Sequence, residues 1–281
     1  MRLRNKTILL TGASGGIGKA LSEQLALHGA RLVLVGRDAN ALNMLAAGLQ
    51  AHEDQHCVLS LDLETHQGLE ELVAFCQNLP GSIDIIINSA GACDFHLLSN
   101  MQCTEIERVI YLNLTLPMLL IRRLLPILLL RSEGLIINIG SILGAIGNPG
   151  FSSYCGSKAG LARFSEALRR ELTDTQVKIL QFNPRATDTE MNSPQVKAMN
   201  EQLNITMDAP AAVARQLIRK IQGDEFGESN LGWPERFYVK LNSLFPRLVD
   251  KSYAKNLPVI KRFAGVTRES EPDLLEYRKQ P

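Results

Sequence analysis

The chain has 281 residues, 45% hydrophobic and 21% charged, with a net charge of +1. Those totals fit one large globular domain, exclude a disordered chain, and offer no global field for nucleic acid or a strongly acidic partner. Five scattered cysteines (Cys57, Cys76, Cys93, Cys103 and Cys155) have no paired close spacing, which argues against a disulfide scaffold or a zinc site and suits a reducing, cytoplasmic compartment.

The opening MRLRNKTILLTG has only three consecutive apolar residues, so no secretory signal is expected. KTILLTG (6–12) reads as a strand stopping at glycine, and 16–28 has helical spacing through Ile17, Leu21 and Leu25. RLVLVG (31–36) is a second strand, followed by a helix over about 39–51. CVLSLDL (57–63) is a third strand and 65–77 a third helix. IDIIIN (83–88) lacks alternation, as a strand buried on both faces would. A long helix is expected over about 103–130, bent at Pro117. Its apolar part, 109–130, is interrupted by Arg122 and Arg123, so a buried or subunit-facing helix is expected there rather than a membrane span. LIINIGS (135–141), a helix over 152–173 and VKILQFN (177–183) complete six strands. Aliphatic strands alternating with helices specify an α/β fold, a doubly wound parallel sheet with helices on both faces. One domain over 1–223 is expected, with a C-terminal helical extension over 224–281.

The stretch TGASGGIG (11–18) lies between the first strand and the first helix. Gly12 permits a tight turn, and Gly16 and Gly18 permit close approach. Free backbone N–H groups and the positive end of the helix dipole then suit a pyrophosphate. The spacing Thr-Gly-x-x-x-Gly-x-Gly (Thr11, Gly12, Gly16, Ile17, Gly18) resembles the short-chain dehydrogenase/reductase family. Further matches follow in that family's order: Asp62 ending the third strand, Asn88-Ser89-Ala90-Gly91 ending the fourth, Asn113, Ser141, and Tyr154 with Lys158 one helical turn later. The resemblance covers about 6–191. It implies dinucleotide contacts from Gly12, Ser14, Gly16, Ile17, Gly18, Asp62 (adenine), Asn88, Ala90, Pro184, Thr187 and Thr189, besides Tyr154 and Lys158.

An NAD enzyme of this kind carries an acid at the end of the second strand, which bonds the ribose 2′-hydroxyl. Here that position is Gly36, and Arg37 can pair with a 2′-phosphate, so NADP(H) is favoured over NAD(H). Asp38, one residue on, takes the acid's role if the turn shifts by one.

Reducing a ketone by hydride leaves an alkoxide that needs a proton. Tyrosine's ordinary pKa of about 10 is high for that task near neutrality, and lowering it by roughly 3 units takes about 4 kcal/mol. A nearby lysine ammonium supplies part of this. The resemblance makes Tyr154 the general acid/base and has Lys158 bond the nicotinamide ribose. It also has Ser141 hold the substrate oxygen and Asn113 support a water linking Lys158 to solvent. A serine capping a turn and an asparagine bonding backbone at a bend are the plain alternatives for Ser141 and Asn113. No metal is expected. His52 and His56, four apart, read as a solvated face, and Cys155 as a packing residue.

The chain departs from the family at Asn183-Pro184-Arg185, where Arg185 replaces glycine and has solvent, cofactor or an acidic substrate group within reach. Ser89 replaces the family's second asparagine. The substrate is expected between 142–151, with Leu143, Ile146 and Phe151, and 190–207, which suggests a hydrophobic carbonyl compound, an acyl, steroid-like or aromatic ketone. Residues 232–263 carry seven Lys/Arg against two Asp/Glu, leaving the rest of the chain near −4. A lid or packing helix is favoured for that segment over a membrane-surface helix. The family's pairing through the helices of 103–130 and 152–173 implies a homodimer or homotetramer. The expected activity is NADPH-dependent carbonyl reduction, reversible as an alcohol dehydrogenase, with a 3-oxoacyl thioester reductase as its main variant. A non-catalytic dinucleotide sensor on the same scaffold is the competing class.

Overall fold

In the computed structural model, which describes residues 1–49 and 56–265, seven strands form one parallel sheet. They are β1 (Thr7–Thr11), β2 (Arg31–Gly36), β3 (Cys57–Ser60), β4 (Ile85–Asn88), β5 (Gly134–Ile139), β6 (Val177–Asn183) and β7 (Gly227–Asn230), in the order β3-β2-β1-β4-β5-β6-β7. Alternate residues leave a strand on opposite faces. Ile8 and Leu10 pack with α1 (Gly16–Leu27), α2 (Ala39–Gly48) and α8 (Pro210–Gln222), through Leu21, Leu42 and Leu217. Leu9 and Ile86 pack on the other face with α3 (His66–Asn78) and α5 (Leu116–Leu129), through Leu72 and Leu120. Both faces are therefore covered, which is why the strands read as mostly aliphatic runs without alternation. Strand order reverses between β1 and β4, where a doubly wound sheet opens its ligand crevice.

The expected long helix is divided. α4 (Cys103–Ile110) runs into a π-helical turn, Tyr111–Thr115, before α5. Leu116 N–H reaches back five residues to the Tyr111 carbonyl. Pro117 has no N–H to offer the Asn113 carbonyl four residues earlier and crowds it, so the irregularity falls on the turn before the proline. By length and composition Cys103–Leu129 is apolar enough to cross a membrane. Its Leu116, Leu120, Ile121, Leu124 and Leu128 are instead buried against the sheet.

β7 was not among the six expected strands. Its sequence, GESN, is short and polar with no hydrophobic pattern to read, yet it pairs with β6 from Leu180↔Gly227 to Asn183↔Asn230. The segment past 223 thus begins by extending the sheet and then forms α9 (Glu235–Leu244) and α10 (Pro246–Ala264). Ile260 and Ala264 of α10 join a third apolar cluster with Phe95, Phe151, Cys155 of α6 (Ser152–Glu171), and Val196 and Met199 of α7 (Pro194–Gln202). The second helix past 49, His52, and the extension past 265 lie outside the described residues.

Candidate active site

The loop after β1 is built by contacts that no side chain would survive. Gly12 has φ +67°, and a Cβ there would stand 2.7 Å from the Ala90 nitrogen. A Cβ on Gly18 would stand 2.0 Å from the Gly12 carbonyl oxygen, and one on Gly16 2.6 Å from Thr189 Cγ2. The Thr11 hydroxyl accepts the Ser89 and Ala90 N–H groups, both at 3.2 Å, joining the loops after β1 and β4. α1 opens behind Gly15 with no side-chain cap, which leaves its first N–H groups for an outside acceptor. Ile17 packs partly buried on the first apolar face. Ser14 Oγ lies 3.1 Å from where a Gly36 Cβ would sit, so the loop and the end of β2 face each other. A cradle of bare backbone at a helix start, at the sheet's switch point, fits the pyrophosphate of a dinucleotide.

Beyond β2, Asp38 caps α2, its carboxylate accepting Ala41 N–H at 3.0 Å. Arg37 is exposed and pairs with Glu64 at 3.2 Å, and Arg108 holds the same carboxylate at 3.0 Å. Asp62 stands two residues past the end of β3 rather than within it. Its carboxylate accepts Glu64 N–H.

The structure brings Ser141, Tyr154, Lys158 and Asn113 to the C-terminal ends of β4 and β5. Ser141 follows β5, and its Oγ accepts Leu143 N–H at 3.1 Å while its side chain also hydrogen-bonds Tyr154. Tyr154 and Lys158 share one face of α6, with Nζ 5.7 Å from the phenol ring centroid. Lys158 is buried, and its Nζ donates to the Ile139 carbonyl at 2.9 Å. Asn113 is wholly buried in the π-helical turn. It accepts Ala92 N–H at 2.9 Å, returns a bond to the Ala92 carbonyl at 2.8 Å, and donates to Ser157 Oγ at 3.0 Å. A Cβ on Gly91 would lie 2.6 Å from Asn113 Oδ1 and 3.7 Å from Lys158 Nζ, so the glycine keeps open the place where the two converge.

Burial dominates the electrostatics. The Lys158 ammonium is brought down to about 8 by desolvation, with Cys93 opposing. Desolvation pushes the Tyr154 phenol well above its usual value. Cys93 and Cys155 push the same way, and the Ser141 hydrogen bond pulls it down. Lys158 does not reverse that rise in the protein alone. Its charge is itself disfavoured by burial, and its proton is directed at Ile139.

A buried polar ladder crosses the sheet beneath these groups. Asn88 donates to Asn138 (2.8 Å), Asn138 to Ser165 (2.8 Å), Ser165 to Gln181 (2.7 Å), and Gln181 to Asn183 (2.8 Å). Gly140, next to Ser141, is packed on it, since a Cβ there would meet Asn183 Oδ1 at 2.0 Å. The Pro184 carbonyl accepts Ile142 N–H at 2.9 Å, tying the strand end to the turn that carries Ser141. Thr187 is buried and donates to the Arg185 carbonyl, and Thr189 covers Gly16. Arg185 forks onto Asp208 at 2.7 and 2.9 Å and reaches Glu235 at 3.3 Å, so it clasps the extension to the core. Those carboxylates hold its guanidinium firmly charged.

The apolar wall beside Tyr154 contains the expected Leu143 and Phe151. Ile146 is buried nearby in the same loop. The wall also contains Phe95, Cys93, Tyr253 and Ile260, which the sequence reading did not single out. Burial pushes the Cys93 thiol up to about 12. Tyr253 and Ile260 come from α10, more than ninety residues away in the chain, so no local pattern announces them. His56 Nδ1 accepts Leu32 N–H at 3.2 Å, and among the described residues no cluster of His, Cys, Asp and Glu is arranged for a metal.

A family model described as short chain dehydrogenase matches residues 6–200. The ketoacyl reductase HetN of Nostoc is 32% identical over 227 residues, 78% of this chain and 76% of its own. An NADP-dependent 3-hydroxy acid dehydrogenase of Schizosaccharomyces pombe is 34% identical, covering 68% of this chain and 75% of its own. The 3-oxoacyl-[acyl-carrier-protein] reductase FabG of Haemophilus influenzae is 31% identical, covering 74% and 84%. Among solved structures, a short-chain dehydrogenase from Streptomyces avermitilis superposes with a TM-score of 0.75 at 25% identity, over 89% of this chain and 97% of that one.

Proposed function

Because the chain belongs to the short-chain dehydrogenase/reductase family of NAD(P)-dependent oxidoreductases, we propose that it reduces a hydrophobic ketone or 3-oxoacyl compound to the alcohol, with NADPH and with Tyr154 as the acid. The observation that carries this reading is the convergence of Ser141, Tyr154 and Lys158, with Asn113 behind them, beside a bare-backbone cradle at the sheet's switch point.

The cofactor supplies hydride when bound. Gly12, Gly16 and Gly18 let the α1 N–H groups reach its pyrophosphate, and Thr189 covers that place. Ser141 and Tyr154 point hydroxyls at the substrate oxygen and hold the carbonyl in register. A desolvated phenol keeps its proton at neutral pH, which suits an acid in the reducing direction: an alkoxide is a far stronger base than a phenolate and takes the proton regardless. Lys158 then stabilises the phenolate. Because Lys158 titrates near 8, it passes a proton on readily, and Asn113 fixes the backbone beside it for a water to complete the path. The wall of Leu143, Phe95, Phe151 and Ile260 favours an apolar substrate.

NADPH is preferred in this reading. Gly36 leaves room for a 2′-phosphate, Arg37 stands exposed beside it, and Asp38 is already engaged as a helix cap. The NADP-dependent relative supports the same choice. Pairing of subunits through α5 and α6 is consistent with Met118 and Leu119 exposed on α5. All five cysteines are free thiols, as a cytoplasmic setting favours. The test is NADPH oxidation against a panel of ketones, quinones and 3-oxoacyl thioesters. Turnover of an apolar carbonyl is expected. Tight NADPH binding with no turnover across the panel would make the protein a dinucleotide sensor.

A further inference from the structure

The C-terminal extension divides its surface. Past β7, contacts that fasten it to the core include Glu235 to Arg185, Asn242 Nδ2 to the Ala145 carbonyl at 3.4 Å, and Ile260 with Ala264 in the cluster beside Tyr154. This half packs on the core. Among the described residues nothing covers the other half. α9 has no buried residue, and from Trp233 to Leu248 six large apolar side chains face solvent: Trp233, Phe237, Tyr238, Leu244, Phe245 and Leu248. Trp233 is 75% exposed and Leu244 70%. The three aromatics at the leading end are in contact, with centroids 6.1 Å apart. A contiguous patch of this kind marks an interaction surface.

Charge says what covers it. Arg236, Lys240, Arg247 and Lys251 are exposed among these apolar residues, and none forms an ion pair with a described residue. Of the two acids in the same stretch, Glu235 is turned inward onto Arg185, which leaves Asp250. Exposed Trp, Phe and Leu interspersed with Lys and Arg is the pattern of a helix lying in the headgroup boundary of an anionic bilayer. A second copy of the chain presents the same positive charge and would be repelled here. We propose that α9 and the first turn of α10 dock this protein on an anionic membrane surface. Asn242 bonds Ala145, four residues beyond Ser141, so the docked face adjoins the substrate loop. If the proposed carbonyl reduction is accepted, the substrate class narrows to a carbonyl compound dissolved in the bilayer.

The test is co-sedimentation of the full chain with phosphatidylglycerol/phosphatidylcholine vesicles and with pure phosphatidylcholine vesicles. It needs no turnover, so it stands apart from the proposed activity. Binding to the anionic vesicles is expected, weakened by salt. A Phe237→Ser/Leu244→Ser/Phe245→Ser/Leu248→Ser variant should lose at least about 100-fold in partitioning, given four large side chains kept out of the bilayer. An Arg236→Glu/Lys240→Glu/Arg247→Glu variant should lose anionic preference while keeping circular dichroism and NADPH affinity. Wild-type protein left in the supernatant, or a serine variant that partitions like wild type, would overturn the proposal. So would a serine variant that changes only the oligomeric state in sedimentation velocity, which would assign the patch to a second copy.

Discussion

Gly18→Ala isolates what the glycine loop contributes. Its new Cβ would start 2.0 Å from the Gly12 carbonyl oxygen; the oxygen is backbone and the Cβ is bonded directly to Cα, so neither can swing aside. Reaching an ordinary contact of about 3.4 Å requires the loop and the start of α1 to part by roughly 1.4 Å. An N–H···O bond to phosphate near 2.9 Å would then stretch past 3.5 Å, where it ceases to count. Two such charge-assisted bonds are worth about 1.5–3 kcal/mol each, so roughly 3–6 kcal/mol of dinucleotide affinity is at stake. At 1.4 kcal/mol per tenfold, the dissociation constant for NADPH should rise more than about 100-fold. Titration of NADPH by fluorescence or calorimetry measures it. Gly48→Ala in α2 is the control, because its Cβ meets nothing within 4 Å. A folded Gly18→Ala protein binding NADPH within about threefold of wild type would refute the cradle.

Arg37→Ala should raise the Michaelis constant for NADPH by about tenfold or more while leaving that for NADH nearly unchanged, since one charge-assisted fork on the 2′-phosphate is worth about 1.5–3 kcal/mol; equal effects in initial-rate assays would remove the cofactor argument. Lys158→Met tests the buried ammonium through pH. Lys158 falls from 10.5 unfolded to about 8 folded, so between those values the unfolded chain binds more protons and stability from this group rises with pH. Urea unfolding at about pH 7.5 and 10 should show the wild-type-minus-variant difference growing in favour of wild type by on the order of 2 kcal/mol. Taking the difference cancels Cys76, whose raised thiol works in the opposite direction. A difference that stays flat would mean Lys158 is not desolvated.

Most of the scaffold was legible because its signals are local. Aliphatic runs of three or four residues mark β1, β2, β4 and β5, and the glycine loop sits in one turn of chain. Tyr154 and Lys158 are one helical turn apart. What escaped depends on distant partners. GESN becomes β7 only because β6 offers it a ladder. Arg185 looked free in sequence, but its carboxylates stand 23 and 50 residues away. Cys93, Tyr253 and Ile260 meet only once α10 folds back on the cluster beside Tyr154. The bend placed at Pro117 lies earlier, because a proline acts on the carbonyl four residues before it. One cue was present and unused: Asn138 and Gln181 interrupt otherwise aliphatic strands, and a buried amide in such a place needs partners, which the ladder supplies.

In the proposed reaction Tyr154 delivers the proton to the reduced carbonyl. Replacing it with phenylalanine removes one oxygen and leaves the ring packed between its two apolar clusters. Single-turnover oxidation of bound NADPH by the best carbonyl from the panel is the direct measurement. Tyr154→Phe should lower the rate by about 10²-fold or more, the usual contribution of a positioned general acid, with NADPH affinity within about threefold of wild type. A Tyr154→Phe protein that turns over at the wild-type rate would contradict it.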